Sequence, residues 1–491
     1  MRCVHLNRLT LLPDKISAEV AVIGSGPGGS ITACLLAEAG RNVVLLEEGP
    51  HLELQSCPPF SRQEMEQKYR AGGLTVAFGR TKVAYVEGCC VGGGSEINSS
   101  LYHRTPADVL DGWRSRFQIL ELSEPDMLPY FEANEKELSV STLREPPPPA
   151  SVRLHDGATR LGWQSAEVPR LFAYAPDRHG DLRGTKQSMS QTFVPRGLAA
   201  GLHLLPNTRA RRLRRCGARW EVLTESVTPG ATSNPLTVET GAVFVACGAI
   251  QTPALLQRSG LGRRAGATLH LHPTIKVVAQ FREAVNELDM GVPVHQVKEF
   301  APRYTLGCSI SSPPHLALAL LDHPSMIATV ADDWQRMAVY YAMTRGGAGR
   351  VRSIPGLRAP LVTYRLAPED YAELGQALRK LCECLLAGGA VAIYPGLPGS
   401  PVVKSTSDLE RLPDSLSPKA TNLMTIHLFS SCPMGEAASC VTDSFGRVRG
   451  APGVWVADAS LLPGPPGVNP QGTIMALVRR NVFKFLGEKR Q

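Results

Sequence analysis

The side chains best suited to chemistry in this sequence are an imidazole and a carboxamide near its end. His427 begins the run His-Leu-Phe-Ser-Ser-Cys-Pro-Met-Gly, and Asn469 lies in the run Gly-Val-Asn-Pro. Near neutral pH an unperturbed imidazole, with a pKa of about 6.5, is partly free to accept a proton. A carboxamide orients the same hydroxyl group without competing for its proton. The two residues therefore suit removal of a proton from an alcohol.

Both residues also have a purely structural interpretation. Asn469-Pro470 resembles a helix start, with the asparagine as N-cap and the proline in the first turn. In that case the asparagine side chain has no direct catalytic role. The corresponding alternative for His427 is a buried histidine whose ring is hydrogen-bonded within the core.

The elements that must position these groups begin with a glycine loop near the start of the chain. Gly24, Gly26 and Gly29 follow a strand predicted at Ala18–Ile23 and precede a helical segment, and the next predicted strand ends at Glu47. In a nucleotide-binding turn the first glycine permits the tight turn, the second lets the backbone approach a pyrophosphate, and the third lets helix and strand pack closely. The helix N-terminus attracts phosphate, and Glu47 can accept both ribose hydroxyls. The loop alone does not distinguish NAD from FAD.

The remaining pattern predicts a mixed chain of helices and strands. Short alternating segments between about 269 and 360 favour an antiparallel sheet, and the proline run 146–149 resembles a linker. Further elements are predicted as buried strands at Val243–Ala246 and Val454–Ala457, strand pieces at Leu202–Leu205 and Ala210–Leu213, and helices at Glu369–Ala387 and Gln471–Leu486.

Two further motifs resemble those of a known family. Residues 248–262, GAIQTPALLQRSGLG, resemble the second signature of the glucose–methanol–choline (GMC) oxidoreductases, and residues 92–98, GGGSEIN, resemble the first. The triple glycine is the form also seen in the cholesterol oxidase branch, and the motif style resembles cholesterol oxidases and long-chain alcohol oxidases most closely. The segments of His427 and Asn469 resemble the family's catalytic ends, and the likeness runs from about residue 17 to residue 485.

The resemblance implies a fold that is α/β and α+β. An FAD-binding Rossmann-like, doubly wound domain would be interleaved with a substrate domain built on an antiparallel sheet with covering helices. FAD would bind in an extended form. The FAD-binding domain is predicted to comprise residues 17–130, 196–268 and 436–491, and the substrate-binding domain residues 131–195 and 269–435.

The resemblance also implies a set of cofactor-binding residues. The set comprises Gly24, Gly26, Gly29, Glu47, Gly93, Ser95, Asn98, Ala210, Gly248, Asp458, Pro470 and Thr473. Within it Gly93, Ser95 and Asn98 would line the pyrophosphate and the flavin, and Asp458 would lie near the ribitol–pyrophosphate region. Some family members attach the flavin through a histidine at the position of Ile97, so non-covalent FAD is predicted here.

The segment after His427 departs from the family pattern at one position. The common form His-x-x-Gly-[Ser/Thr]-Cys has Ser430 in place of its glycine. This change could alter the loop that carries His427, and with it the pose of the imidazole ring.

The resemblance implies FAD-dependent oxidation of a CH–OH group, with hydride passing to flavin N5, His427 as base and Asn469 orienting the hydroxyl. The predicted partners are a small alcohol and an electron acceptor, either oxygen or a quinone or similar molecule. Two alternatives stay open: a non-redox lyase resembling hydroxynitrile lyases, which keep FAD on the same scaffold, and a binding protein without catalysis. Retention of both candidate catalytic residues disfavours the binding protein.

Composition favours neither a nucleic-acid-binding nor a membrane protein. The chain has 491 residues, and its net charge of +8 is a mild bias over that length. The basic run 209–215 alternates with apolar residues, as a strand with a solvated face does. No stretch of about 18 apolar residues exists, so no membrane span is predicted. Residues Met1–Ser17 show no secretory signal.

No metal site is predicted from the cysteines and histidines. The twelve cysteines are scattered without a Cys-x-x-Cys pair, which favours reduced thiols and a cytoplasmic location. His270 and His272 are two residues apart on a predicted strand, without an acidic partner, and are interpreted as a linker into the substrate region.

Overall fold

The computed structural model of the chain describes residues 14–180, 182–228, 236–288 and 291–487. Residues 1–17 are predicted from the sequence to contain no secretory signal. Residues 1–13 of this segment lie outside the described part. The strands are β1 (Lys15–Ile23), β2 (Val43–Leu46), β3 (Thr75–Ala77), β4 (Val83–Tyr85), β5 (Val140–Ser141), β6 (Ser165–Glu167), β7 (Arg170–Pro176), β8 (Leu182–Lys186), β9 (His203–Leu205), β10 (Thr208–Cys216), β11 (Arg219–Ser226), β12 (Thr237–Val245), β13 (His270–Leu271), β14 (Thr274–Gln280), β15 (His295–Val297), β16 (Tyr304–Cys308), β17 (Met337–Thr344), β18 (Ala348–Arg352), β19 (Leu361–Arg365), β20 (Ala392–Pro395), β21 (Leu423–Thr425), β22 (Leu428–Phe429) and β23 (Val454–Val456). The α-helices are α1 (Pro27–Glu38), α2 (Arg62–Lys68), α3 (Gly94–Ile97), α4 (Ala107–Phe117), α5 (Glu124–Glu137), α6 (Pro149–Arg160), α7 (Phe193–Ala199), α8 (Gly248–Arg258), α9 (Pro313–Ala319), α10 (Pro324–Asp333), α11 (Pro368–Ala387) and α12 (Gln471–Leu486).

The first sheet has the parallel centre of a nucleotide-binding fold. Its strands run in the order β10-β11-β12-β1-β2-β9, and β23 also pairs with β12. Strands β12, β1, β2 and β9 are parallel, as is β23 to β12, whereas β10 and β11 form an antiparallel extension. Residues 20–23 and 43–46 are fully buried, which explains their uninterrupted apolar sequence. The Rossmann-like part of the predicted fold is confirmed.

Helix α1 follows the glycine loop directly. Gly26 is its N-cap, Pro27 occupies its first turn, and no side chain caps it. Residues 28–37 are all buried, because the helix packs against β1, β2, α7 and α12. The N–H groups of its first turn are therefore left to face whatever lies beyond the ends of β1 and β2.

The second sheet is antiparallel apart from one pair of strands, as predicted. Its order is β3-β4-β21-β14-β17-β16-β15-β6, with β20 also pairing with β14, and only β21 and β4 run parallel. Helices α6 and α11 cover one face. The apolar stripe of α11 is buried against the sheet, as its helical spacing predicts. Its members are Tyr371, Leu374, Leu378, Leu381 and Leu385.

Strand β14 lies at the centre of this sheet and separates its two faces. Ile275 and Val277 belong to the core beneath α6 and α11. Thr274 and Lys276 alternate with them and point to the opposite face, where they line a cavity.

The two sheets are interleaved along the chain, and one predicted segment contributes to both. Strands β3 and β4 lie within residues 17–130, which were assigned to the FAD-binding domain, yet they join the antiparallel sheet through β21. The predicted domain boundaries otherwise stay predictions.

Two local predictions need correction. Asn469 is not an N-cap: α12 begins at Gln471, Pro470 is its N-cap residue, and no side chain caps the helix. The proline run 146–149 is not wholly a linker either, because Pro149 is the first residue of α6, a position that tolerates proline well.

Among the described residues, no helix combines the length and the apolar character that crossing a membrane requires. No group of three or more His, Cys, Asp or Glu side chains in that part of the chain is placed to hold a metal ion. The cysteines described are all free thiols. A cytoplasmic location stays a prediction.

Candidate active site

One continuous cavity lies where the first sheet meets the second. Its wall includes Glu47 at the end of β2, the two glycine-rich loops, and His427. From the antiparallel sheet, Lys276 on β14 and Tyr341 on β17 also line it. The cavity thus lies beyond the carboxyl ends of the parallel strands, where open α/β sheets bind their ligands.

Most of the predicted site residues line this cavity. They are His427, Asn469, Gly24, Gly26, Glu47, Gly93, Asn98, Ala210, Gly248, Asp458 and Pro470. Gly29, Ser95 and Thr473 do not line it. The Ser95 hydroxyl donates to Gly92 O at 2.7 Å and accepts from Met189 N at 3.0 Å. Thr473 Oγ1 bonds to Thr105 Oγ1 at 2.5 Å. The cofactor-binding roles of Ser95 and Thr473 stay predictions.

The tight turn after β1 depends on two glycines. Gly24 has a φ of 99°, and a Cβ there would lie 2.3 Å from Ala246 O. A Cβ on Gly29 would lie 1.8 Å from Gly24 O. Both positions therefore exclude any side chain, and the predicted close packing of helix on strand at Gly29 agrees with this contact.

Backbone also meets backbone at the floor of the cavity. A Cβ on Gly93 would lie 2.8 Å from Gly26 Cα, so the two glycine-rich loops touch. A Cβ on Gly28 would lie 1.9 Å from Ala457 O at the end of β23. These contacts leave a surface of bare backbone at the N-terminus of α1, as close approach of a pyrophosphate requires.

The acid at the end of β2 is held by the glycine loop. Glu47 Oε2 accepts from Ser25 N at 3.0 Å and from Ser25 Oγ at 2.7 Å, and Oε1 accepts from Gly49 N at 2.8 Å. Burial raises the pKa of Glu47. The carboxylate is fixed on the cavity wall with lone pairs left over for ribose hydroxyls, the role predicted for it.

Asp458 fixes the start of the second signature. Its Oδ2 accepts from Gly248 N at 2.9 Å and from Thr252 Oγ1 at 2.5 Å. Its Oδ1 accepts from Ser460 N at 2.8 Å and from Ser460 Oγ at 2.5 Å. The carboxylate, which comes just after β23, thus lies on the cavity wall and also caps α8, the helix that follows β12.

The first signature is held by a lysine that sequence reasoning missed. Lys186 Nζ donates to Asn98 O at 2.7 Å and to Glu96 O at 2.9 Å. Burial lowers the pKa of Lys186 to about 8. The Asn98 side chain donates to Gln471 Oε1 and accepts from Ser100 N at 3.0 Å. Asn98 is thereby tied to the start of α12.

The two predicted catalytic side chains meet in the cavity. Asn469 Nδ2 lies 3.3 Å from His427 Nε2, and both residues line the wall. The backbone of His427 is fixed by Thr425, whose Oγ1 accepts from His427 N at 3.0 Å. Burial lowers the pKa of His427 to about 4, so its ring is neutral at pH 7. A neutral imidazole beside a carboxamide can accept a hydroxyl proton, which is the predicted chemistry.

A second histidine, His272 in the connection between β13 and β14, contacts the first. His272 Nδ1 lies 3.1 Å from His427 Nδ1. The pairing of β13 with β22 matches Leu271 to Leu428, and one step further along this register His272 stands opposite His427. Because Asn469 donates to Nε2 of His427, the ring proton of His427 is on Nδ1 and is donated to His272.

Asn469 is held from its other side by a glutamine on β15. Gln296 Nε2 donates to Asn469 Oδ1 at 3.4 Å and to Tyr341 OH at 3.1 Å. Gln296 is buried and was not singled out from the sequence. It orients the carboxamide so that Nδ2 points to His427.

Comparisons with known proteins agree with this geometry. GMC oxidoreductase family models match residues 65–274 and 349–477, and a model of NAD(P)-binding Rossmann-like domains matches residues 22–56. A GMC-type oxidoreductase of Sinorhizobium fredii is 39% identical over 477 residues, covering 95% of this chain and 94% of the relative. The chain belongs to the GMC oxidoreductase family. It is therefore an oxidoreductase, and GMC oxidoreductases are FAD-dependent.

A more distant relative and a solved structure also resemble this GMC oxidoreductase. A long-chain-alcohol oxidase of Arabidopsis thaliana is 27% identical over 525 residues, covering 97% of this chain and 70% of the relative. The crystal structure of pyridoxine 4-oxidase from Mesorbium loti superposes with a TM-score of 0.73 at 18% identity, covering 96% of this chain and all of that one. The structural likeness confirms the fold.

Ser430 adopts the backbone conformation that the family's glycine would favour. Its φ is 67°, in the left-handed region. The residue is fully buried, and its Oγ has no hydrogen-bond partner. Ser430 N donates to Ala459 O at 3.2 Å, and Ser430 O accepts from Thr268 Oγ1 at 2.6 Å. Ser430 thus holds, in this GMC oxidoreductase, a backbone conformation that glycine adopts more readily.

The residues present fit FAD. Bare backbone at Gly26 and Gly93 suits a pyrophosphate, and Glu47 suits a ribose. Pro470 and Gln471, at the uncapped start of α12, line the cavity near Asn469. A helix N-terminus there favours negative charge on a bound group.

Proposed function

We propose that this GMC oxidoreductase oxidises the CH–OH group of a primary or secondary alcohol to an aldehyde or ketone, with FAD bound non-covalently. The observation that carries the proposal is the 3.3 Å contact between Asn469 Nδ2 and His427 Nε2 on the cavity wall. A substrate hydroxyl that replaces this direct contact can donate to Nε2 and accept from Nδ2. The relative named a long-chain-alcohol oxidase and the fold shared with pyridoxine 4-oxidase support an alcohol substrate by analogy.

The proton and the electrons of the alcohol leave in different directions. The hydroxyl proton passes to His427 Nε2, and FAD, when bound, supplies the acceptor for the hydride from carbon. As His427 becomes positively charged, its Nδ1–H bond to His272 becomes charge-assisted and therefore stronger. Asn469 keeps the oxygen in place while the carbonyl forms. His427 acts as the base, and His272 positions it.

Non-covalent attachment is supported by Ile97. This side chain lines the cavity at the position where some family members carry the histidine that bonds to the flavin. An isoleucine offers no nucleophile for that bond. Acid precipitation tests this part of the proposal: the yellow colour should remain in the supernatant, and a yellow pellet would contradict it.

The function itself is tested by anaerobic mixing of the yellow protein with a panel of alcohols. Loss of flavin absorbance supports oxidation, whereas unchanged absorbance with release of an aldehyde would support the lyase. Peroxide formed in air would identify oxygen as the electron acceptor, and its absence would favour a quinone or another acceptor.

Variants then test the assigned base. His427→Ala should retain FAD but be reduced far more slowly, by roughly 10²- to 10⁴-fold. A suitable control is His323→Ala, because that histidine bonds to Pro395 O and does not line the cavity. Full-speed reduction of His427→Ala would remove His427 from the base role.

A further inference from the structure

An ammonium group in the substrate half of the cavity has no counter-ion among the residues that the structure describes. Lys276 lines the cavity, and its side chain makes no hydrogen bond or ion pair with any described residue. Burial lowers the pKa of Lys276 to about 8, so the amine is still largely protonated at pH 7. A partly buried charge without a partner carries a desolvation cost, which an anionic group bound beside it would offset.

The position of Lys276 on β14 defines what could reach it. Thr274 pairs with Met424 on β21, close to the segment that leads into His427. Lys276 is two residues further along the same face, about 7 Å from Thr274. Tyr341, its register partner on β17, and Ser309 line the same part of the cavity and provide hydroxyl groups. A molecule touching both Lys276 and His427 must therefore extend over several bonds.

The carboxylates on the cavity wall all have hydrogen-bond or ion-pair partners other than Lys276. Glu47 bonds to Ser25 and Gly49, and Asp458 caps α8. Glu48 lies 3.0 Å from Arg70 Nη2, and Glu87 lies 3.5 Å from Arg70 Nε. These four residues are the only acids on the wall among the described residues, and none of them pairs with Lys276.

Two further cations lie near the catalytic histidines without a carboxylate partner among the described residues. Lys298 lies near the buried histidine His103: burial is the largest cause that lowers the pKa of His103, and the charge of Lys298 is the next. Burial and then His427 lower the pKa of His272, with a further contribution from Arg345. Arg345 Nη2 donates only to a backbone oxygen, Pro465 O at 3.0 Å, in addition to a longer contact with Pro302 O. Lys298 and Arg345 therefore add positive charge close to the histidines at this end of the cavity.

We propose that the substrate is an alcohol that also carries an anionic group, a carboxylate or a phosphate ester, which pairs with Lys276 while the hydroxyl lies at His427. The inference rests on the proposed alcohol oxidation and narrows its substrate class. The positive charge of Lys276 favours an anionic group. The distance along β14 from Lys276 towards His427 requires a chain of several carbons between the anion and the hydroxyl.

The experiment compares alcohols of equal length that differ only in the charge at the far end. The probes are 6-hydroxyhexanoate, 6-hydroxyhexyl phosphate, 1-hexanol and 6-amino-1-hexanol, with anaerobic flavin reduction as the readout. We expect kcat/KM for one or both anions to exceed that for 1-hexanol by about tenfold or more, and 6-amino-1-hexanol to be poorest. The better of the two anions distinguishes a carboxylate from a phosphate substrate, and a series of ω-hydroxycarboxylates of increasing length should show an optimum.

Lys276→Met tests the assignment, because methionine keeps the volume and removes the charge. It should abolish the preference for anions, so that kcat/KM for the anionic alcohols falls to about that for 1-hexanol in the same variant. Lys404→Met is the matched control, because it removes one charge from an exposed lysine outside the cavity. The inference would be overturned if wild type oxidised 1-hexanol as well as, or better than, both anionic alcohols. Retention of the anion preference in Lys276→Met, or an equal loss for all four alcohols, would overturn it too.

A binding measurement separates this inference from the proposed function. Hexanoate lacks a hydroxyl, so its affinity, measured by calorimetry, does not depend on any reaction. We expect hexanoate to bind wild type about tenfold or more tightly than Lys276→Met. Should no alcohol reduce the flavin while hexanoate still shows this difference, alcohol oxidation would fail and the anion site would stand. Equal affinities would overturn the anion site.

Discussion

Replacement of His272 tests whether the active site depends on a histidine that is interpreted from the sequence only as part of a linker. In His272→Leu the Nδ1–H of His427 loses its acceptor, now 3.1 Å away, and becomes a buried unsatisfied donor. A neutral hydrogen bond contributes about 1 kcal/mol, and one to a charged group about 1.5–3 kcal/mol. The bond therefore strengthens by about 1–2 kcal/mol as His427 takes up the proton, which corresponds to roughly a 5- to 30-fold loss in the rate of flavin reduction.

The assay is anaerobic stopped-flow reduction of His272→Leu and His272→Asn. The asparagine Oδ1 occupies nearly the place of the histidine Nδ1, so His272→Asn should recover most of the rate. The acid limb of the pH profile provides a second readout, because loss of the acceptor destabilises the imidazolium and lowers the pKa of His427. We therefore expect this limb to move to lower pH in His272→Leu. A leucine variant as fast as wild type, or an asparagine variant as slow as leucine, would refute the reasoning.

Three other predictions follow from single residues. Burial lowers the pKa of His427 to about 4, so the base becomes protonated only as the pH falls through that value. The rate of flavin reduction should therefore be independent of pH from neutrality to about pH 5. An acid limb near pH 6.5 would contradict this prediction. Ser430→Gly should raise the free energy of unfolding by about 0.5–1 kcal/mol. A non-glycine residue at positive φ costs about 1–2 kcal/mol, and the greater backbone entropy that glycine loses on folding offsets part of the gain from removing this cost. Denaturation of FAD-loaded protein measures the change, and a decrease would argue against strain at Ser430. Gly28→Ala should yield colourless protein, because its Cβ would lie 1.9 Å from Ala457 O, whereas Gly112→Ala, with no atom within 4 Å of its Cβ, should stay yellow.

The parts of the site that depend on local backbone could be predicted from the sequence. Gly24 and Gly29 are needed by one turn between one strand and one helix, so their spacing alone reveals them. Glu47 ends the next strand and lies on the same cavity wall for the same reason. His427 and Asn469 were recognisable because each lies in a motif that resembles the family's, although only the structure shows their 3.3 Å contact.

The supporting residues could not be predicted, because they depend on pairing between distant segments. His272 reaches His427 through the register of β13 and β22, and nothing near His272 in the sequence specifies that register. Lys186 holds Asn98 from a strand almost ninety residues away, and Gln296 reaches Asn469 from β15, near one edge of the antiparallel sheet. Strand alternation in a sequence can indicate which residues share a face of a sheet, but not which side chains they meet there.

The wrong prediction at Asn469 has a functional consequence. An asparagine N-cap usually stabilises a helix by about 1 kcal/mol, and α12 forgoes this because Asn469 lies one residue too early and its side chain turns to His427. The helix does not need the cap, since every residue from 471 to 482 is buried and packing stabilises it. Its free N–H groups are thus left facing the cavity beside Pro470 and Gln471, where they favour an anionic group. Loss of the cap therefore frees the carboxamide for the substrate and the helix N-terminus for the cofactor.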